Sequence, residues 1–209
     1  TRFVAEPYTP NIGAVIHELD LSRPLDATTQ AELRRALAEH EVIFLRDQQL
    51  TPAQQVEFSR IFGNVAEVKA FFPRLDAHPE IEVVESTAER PKAASNWHAD
   101  ITWRDNPPIG TSLYAQVIPA SGGDTIWASL TRAYESLPPG FQAYLETLTA
   151  VHSWEISGWT EYLLQQDASG EQLLAPRVGV REALDAEFVL ADVAHVDGEA
   201  VLVLEHDGP

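Results

Sequence analysis

The stretch Asn96-Trp97-His98-Ala99-Asp100 carries the most informative pattern in this chain. If the stretch is extended, alternate side chains point to one face, so His98 and Asp100 can offer an imidazole nitrogen and a carboxylate oxygen to one metal ion. These are two of the three ligands of the facial triad that binds iron(II) and leaves positions open for a co-substrate and oxygen. We therefore predict that His98 and Asp100 are metal ligands. The bare triplet also occurs by chance in many solvated loops, so the surrounding sequence has to decide.

The residues around this pair match a known family in several linked features. The matching segments are Trp97-His98-Ala99-Asp100-Ile101-Thr102, Pro107-Pro108, Ser121-Gly122-Gly123-Asp124-Thr125-Ile126-Trp127, Ala133-Tyr134-Glu135 and His152. Upstream, residues 12–14, 21–25 and 42–48 follow the same pattern. Over residues 10–175 the sequence resembles the taurine dioxygenase / 2,4-D dioxygenase family. The combination is far more specific than any one of these motifs.

This resemblance implies a fold, a reaction and a co-substrate. The fold would be α+β, with a double-stranded β-helix (jelly roll) core and flanking helices, and residues 1–209 would form a single domain. The protein would be an Fe(II)/2-oxoglutarate-dependent dioxygenase that uses O2, releases succinate and CO2, and hydroxylates a small organic substrate, which could be anionic. Because halogenating relatives replace the carboxylate ligand with a small residue, Asp100 favours hydroxylation.

Several nearby side chains have both a functional and a structural interpretation. The resemblance implies that Thr125 binds the carboxylate of 2-oxoglutarate, for which a hydroxyl donor is suited, although a threonine there could simply face out of a strand. Trp97 and Trp127 flank the proposed site, and we predict that both pack in the core. His152 lies in an apolar strand, where a hydrogen-bonded core histidine is the more common case, so we do not assign it to the metal.

Two groups that the family would require do not appear in the sequence. The family completes its triad with a second histidine far downstream, followed about a dozen residues later by an arginine that pairs with the far carboxylate of 2-oxoglutarate. His195 and His206 come too early, and no arginine follows either of them. Residues 177–209 do not match the family pattern, so the jelly roll could be incomplete at its C-terminus. Truncation and a divergent C-terminus both fit this difference.

These departures leave alternatives open. A non-catalytic jelly-roll protein that binds a small molecule or a partner would also lack the complete triad. A zinc or manganese hydrolase could use the same ligand pair, but no general base or nucleophile pattern supports it. Taurine is disfavoured as substrate because Ala94 stands where the taurine-specific members have asparagine. An anionic substrate group could meet Lys69, Arg74 or Arg104, but each is equally well explained as a solvated surface charge.

Composition and charge exclude several classes of partner. The 14 basic and 32 acidic side chains give a formal net charge of −18, which disfavours nucleic acid and anionic membrane surfaces. No run approaches the roughly 18 apolar residues of a membrane span, and the N-terminus lacks a signal pattern, so we predict a cytoplasmic protein. Assembly into a homo-oligomer is left open. The chain has no cysteine, so any metal must have nitrogen and oxygen ligands. It also has no methionine, even at position 1, so we expect an incomplete reading frame.

Local patterns predict a helical N-terminal region followed by a centre rich in strands. A capping-box pattern at Thr29 and Glu32 predicts a helix over residues 29–40, followed by a buried strand at 41–46. Thr51, with Pro52 and Gln54, predicts the start of a second helix that stops at Gly63. The remaining predictions are short strands at 81–85, 101–103, 111–118 and 125–127, helices at 130–137, 141–148 and 159–174, and a hairpin over 187–205 around Asp197-Gly198.

Overall fold

The structure, a computed structural model, describes residues 3–65, 72–87, 97–102, 104, 107–118, 120–121, 124–153, 178–182, 189–192 and 200–204. Fifteen elements follow each other along these residues. They are β1 (Val4–Pro7), β2 (Ala14–His17), α1 (Ala27–His40), β3 (Val42–Leu45), α2 (Pro52–Arg60), β4 (Arg74–Leu75), β5 (His78–Glu82), β6 (Gly110–Tyr114), β7 (Ile126–Ser129), α3 (Leu130–Glu135), α4 (Pro139–Leu145), β8 (Thr149–Ser153), β9 (Val178–Glu182), β10 (Val189–Asp192) and β11 (Ala200–Leu204).

One larger sheet and three two-stranded sheets make up the β structure of the described residues. The larger sheet has the order β1-β2-β3-β11-β6, in which β2 and β3 run parallel and the other neighbours run antiparallel. The small sheets are β7 with β10, β4 with β5, and β8 with β9. The predicted mixture of helices and strands is confirmed, but the described strands do not form a closed barrel. In the described parts of the chain, no helix is both long and apolar enough to cross a bilayer.

The buried core lies around β3. Every residue of β3 is buried, as expected for a central strand that is covered on both faces. Ile43 and Leu45 pack on one face against α1, where Leu33 is fully buried, while Val42 and Phe44 form a second cluster on the opposite face. Trp127 of β7 lies against this second cluster, with its ring 5.3 Å from that of Phe44. The smaller β7–β10 sheet is thereby attached to the larger one.

The two N-terminal helices begin where backbone N–H groups find side-chain acceptors. The predicted capping box at Thr29 is wrong, because α1 begins earlier, and Asp26 is its N-cap, accepting a hydrogen bond from the Thr29 N–H at 2.7 Å. For α2 the prediction is confirmed: Thr51 and Gln54 form a reciprocal capping box with Pro52 in the first turn. This helix ends at Arg60, just before Gly63.

A buried carboxyl group joins the end of α1 to the start of α3. Glu41 ends α1 with a φ of 64°, and its Oε1 accepts a hydrogen bond of 2.8 Å from the Ser129 hydroxyl. The same hydroxyl accepts the N–H of Arg132 and so caps α3. Oε2 of Glu41 is buried and has no hydrogen-bond partner among the described residues. Burial therefore raises the pKa of Glu41, and the bond from Ser129 only partly opposes that rise.

Several predicted elements of the second half are confirmed, and two are wrong. Strands form near residues 81–85, 111–118 and 125–127, and helices form near 130–137 and 141–148. Residues 101–102 lie in a turn instead of a strand. The predicted hairpin is also wrong, because β10 pairs with β7 while β11 pairs with both β3 and β6. The predicted helix at 159–174 lies outside the described residues, as does the dipeptide Asp197-Gly198.

Candidate metal site

The structure brings His98 and Asp100 together, as the sequence predicted. Nε2 of His98 lies 3.5 Å from Oδ1 of Asp100. The predicted reason is wrong, since no continuous strand runs through the two residues. His98 makes an isolated bridge, and the chain turns over residues 100–102. The turn, and not the alternation of a strand, directs both side chains to the same place.

Both side chains are partly shielded from water. His98 exposes 31% and Asp100 exposes 44% of its side-chain surface. Burial raises the pKa of the Asp100 carboxyl, and the nearby His98 imidazole opposes that rise. A partly shielded carboxylate is stabilised by a neighbouring cation more than a fully solvated one is. The setting therefore favours a bound positive charge between the two groups.

The spacing of the two donor atoms can be compared with that of two ligands on one ion. Donor atoms bound to one first-row ion at about 2.1 Å lie about 3.0 Å apart at a right angle and about 3.4 Å apart at a tetrahedral angle. The observed separation is 3.5 Å. Nitrogen and oxygen donors of this kind suit iron(II), manganese(II) and zinc(II). His98 and Asp100 thus fit a single cation after an inward movement of roughly 0.1–0.5 Å.

A third ligand is not found in the part of the chain that the structure describes. No group of three or more His, Cys, Asp or Glu side chains there is arranged to bind a metal. His195 and His206 lie outside the described residues. Among the described residues, His98 and Asp100 are therefore the two candidate ligands.

The other residues singled out in the sequence lie at different places. Thr125 is half-buried immediately before β7. Trp127 packs on Phe44, which confirms its structural role, whereas Trp97 exposes 50% of its surface, so its predicted burial is wrong. His152 is half-buried on β8, opposite Gly179 of β9.

Two of the three basic candidates for an anionic substrate group are described. Arg104 lies in the same turn as Asp100, and its backbone N–H donates to the carbonyl of Ile101 at 3.3 Å. Arg74 is half-buried on β4, and its Nε is buried without a hydrogen-bond acceptor among the described residues. Lys69 and Ala94 lie outside those residues. Arg104 is thus the basic candidate that lies on the turn of the ligand pair.

Nothing in the sequence around Ile101 indicated its special conformation. Its φ is 58°, in the left-handed region, which a β-branched residue adopts only at a substantial cost. Isoleucine next to threonine is typical of a strand, so local propensity pointed in the opposite direction. An asparagine or glycine at this position would have predicted the turn.

Comparison with known proteins places the chain in a family. A family model described as "Taurine catabolism dioxygenase TauD, TfdA family" matches residues 5–199. An alpha-ketoglutarate-dependent sulfate ester dioxygenase of Pseudomonas putida is 32% identical over 96% of this chain and 65% of its own length. An alpha-ketoglutarate-dependent 2,4-dichlorophenoxyacetate dioxygenase of Cupriavidus pinatubonensis is 28% identical, over 93% of this chain and 76% of its own length.

A solved structure of a taurine dioxygenase has a similar fold. The crystal structure of a taurine dioxygenase from Burkholderia xenovorans superposes with a TM-score of 0.71 at 26% identity, covering 99% of this chain and 90% of that one. The chain spans 65% of the length of the Pseudomonas putida relative and 61% of that of an alkylsulfatase of Acinetobacter baylyi, which is also 32% identical. With the family model matched over residues 5–199, the chain belongs to the TauD/TfdA family of dioxygenases.

Proposed function

We propose that the protein to which this chain belongs is an Fe(II)/2-oxoglutarate-dependent dioxygenase that hydroxylates a small, anionic organic substrate, consuming O2 and releasing succinate and CO2. The observation that carries the proposal is the pair of donor atoms on His98 and Asp100, 3.5 Å apart in a partly shielded turn. The names of the relatives support the co-substrate, since alpha-ketoglutarate is 2-oxoglutarate. Sulfate esters and phenoxyacetates, which those names mention, are anionic.

In this proposal each site residue has one role. His98 donates a neutral imidazole nitrogen and Asp100 a carboxylate oxygen to the ferrous ion, which supplies the activation of oxygen and the oxidation of 2-oxoglutarate when bound. The Thr125 hydroxyl donates a hydrogen bond to a carboxylate of 2-oxoglutarate. Arg104 attracts the anionic group of the substrate to the turn that carries Asp100. A third metal ligand and an arginine for the far carboxylate are still required.

The fold that we propose for this function is a jelly roll in one domain spanning residues 1–209. The superposition on the Burkholderia xenovorans taurine dioxygenase supports the overall architecture. Contacts across the described sheets also support one domain, since β11 pairs with strands from both halves of the chain and Trp127 packs against Phe44. A cytoplasmic location stays a prediction from the sequence, which leaves assembly into a homo-oligomer open.

Anaerobic binding of iron(II) and 2-oxoglutarate tests the proposed site directly. The chelate of iron(II) with 2-oxoglutarate gives a weak visible charge-transfer band, which we expect for the wild-type protein to which this chain belongs. Replacement of either His98 or Asp100 by alanine should remove that band and abolish succinate formation, because the ion loses one of its protein ligands. A band of wild-type intensity in either variant would reject the ligand pair.

The chain offers a matched control for these substitutions. Asp76 and His78 have the same one-residue spacing in reverse order, where β5 begins, with Asp76 exposed and His78 half-buried. Alanine at either position removes the same chemical group and leaves His98 and Asp100 in place. Both control variants should keep the band, so a loss in all four variants would indicate a general effect on folding.

A non-catalytic binding protein is the second candidate, favoured by the lack of a third ligand among the described residues. Such a protein would bind a small anion without turnover. Succinate measured under air separates the two functions, because only the dioxygenase couples consumption of 2-oxoglutarate to succinate. Binding of 2-oxoglutarate without formation of succinate would support the second candidate.

A further inference from the structure

The conformation of Ile101 is unusual in a way that bears on the proposed metal pair. Four non-glycine residues in the described part of the chain have positive φ, namely Glu18, Glu41, Asp47 and Ile101. Aspartate enters the left-handed region comparatively easily, and the two glutamates are unbranched. Ile101 is the β-branched member of the set, and it follows Asp100 directly. A side chain branched at Cβ makes this region a genuine outlier, so the surrounding structure must hold it there.

The contacts on both sides of Ile101 explain what the left-handed conformation achieves. On one side, the Asp100 carboxyl is held 3.5 Å from the His98 ring. On the other side, the carbonyl of Ile101 accepts the N–H of Arg104, which closes the turn. Rotation of Ile101 to an extended conformation would reorient this carbonyl and open the turn. The φ of Ile101 therefore determines how the chain beyond it is oriented relative to Asp100.

The residue type adds a second argument. A turn that needed only a positive φ would be served best by glycine or asparagine, which adopt it with little strain. Glycine would also let residue 101 visit many other conformations, and the preceding carboxylate would move with it. Isoleucine has restricted χ1 freedom and is half-buried, so within the closed turn it allows little movement. Strain of this kind is found at sites where geometry matters more than stability.

We infer that Ile101 is a positioning residue, whose strained left-handed backbone holds the Asp100 carboxylate beside His98 for metal binding. The inference rests on the proposed function, because it assumes that this pair binds a cation. It assigns Ile101 a positioning role instead of the role of a metal ligand. Its effect passes through the backbone to Asp100.

Cobalt(II) binding to the full chain tests the inference without any need for turnover. Cobalt(II) alone is titrated into the wild-type chain, Ile101→Gly and Ile101→Val, and the visible absorption spectrum gives both the affinity and the ligand geometry. We expect Ile101→Gly to bind cobalt(II) about tenfold more weakly, the size of effect typical of residues that orient a ligand. Its thermal midpoint without metal should equal or exceed the wild-type value, because the strain is relieved. Ile101→Val keeps the branch at Cβ and should bind like wild type.

Ile109→Gly is the matched control, because Ile109 is 41% exposed in the loop before β6 and does not have a positive φ. It should keep the wild-type affinity and spectrum. Wild-type binding by Ile101→Gly would overturn the inference and leave the proposed function intact. Weak binding with a midpoint well below that of Ile109→Gly would also overturn it, since general destabilisation would then be the cause. If the wild-type chain itself bound no cobalt(II), the proposed ligand pair would fail together with the inference.

Discussion

Replacement of Gln48 by alanine should destabilise the fold far more than its position in a loop suggests. The side chain is buried, with a residue exposure of 8%. Its Oε1 accepts the N–H of Leu21 at 2.9 Å, and its Nε2 donates to the carbonyls of Leu19 and Arg46 at 3.0 and 2.9 Å. Alanine leaves these three backbone groups without their partner. At about 1 kcal/mol for each, the free energy of unfolding should fall by roughly 3 kcal/mol.

Urea unfolding followed by far-UV circular dichroism measures this loss. The transition midpoint should shift to lower urea with an unchanged m-value, which indicates a change in stability and not in compactness. Gln49→Ala is the control, because the neighbouring glutamine is exposed and should change stability by no more than about 0.5 kcal/mol. If Gln48→Ala and Gln49→Ala lost the same amount, the reasoning that buried backbone groups depend on Gln48 would be refuted.

Two further predictions concern a helix cap and a buried carboxyl group. Thr51→Ala should lower the free energy of unfolding by about 1 kcal/mol in urea titrations, because the α2 capping box is lost. Thr51→Ser should cost little. Equal losses in the two variants would contradict the capping role. The pKa of Glu41 is raised above its usual value of 4.5 in the folded state, so this group contributes stability at low pH that is lost as the pH rises through the folded-state pKa. From pH 4.5 towards neutrality, Glu41→Gln should therefore lose less stability than wild type. Identical slopes for the two proteins would argue against a raised pKa of Glu41.

The N-terminal third could be predicted because its signals are local. The capping box of α2 is formed by residues three apart, and β3 is a short, entirely apolar run. The start of α1 was misplaced because Asp26 and Thr29 can both cap a helix, and only the structure shows whose oxygen accepts the backbone N–H. Errors of this size in the start of a helix are expected when caps are predicted from a single sequence.

The second half was harder to predict because its pairings are not local. The residues around β10 and β11 are strand-like, and Asp197-Gly198 suits a tight turn, but a turn signal does not determine which strand each one joins. That His98 and Asp100 lie together was predicted correctly from residue type and spacing. The local geometry was not, since the left-handed Ile101 produces a turn where the side-chain pattern favours a strand. Tertiary structure overrides local propensity at this position.

The position of β11 has a consequence for the synthesis of the protein. This strand lies between β3 and β6, although it comes far later in the chain than either of them. As the polypeptide leaves the ribosome, β3 and β6 each present an unpaired edge until residues 200–204 arrive, and open strand edges recruit other chains. Closing such long loops is slow, so aggregation competes with folding during that interval. The yield of folded protein therefore depends on how those two edges are protected while the rest of the chain is being made.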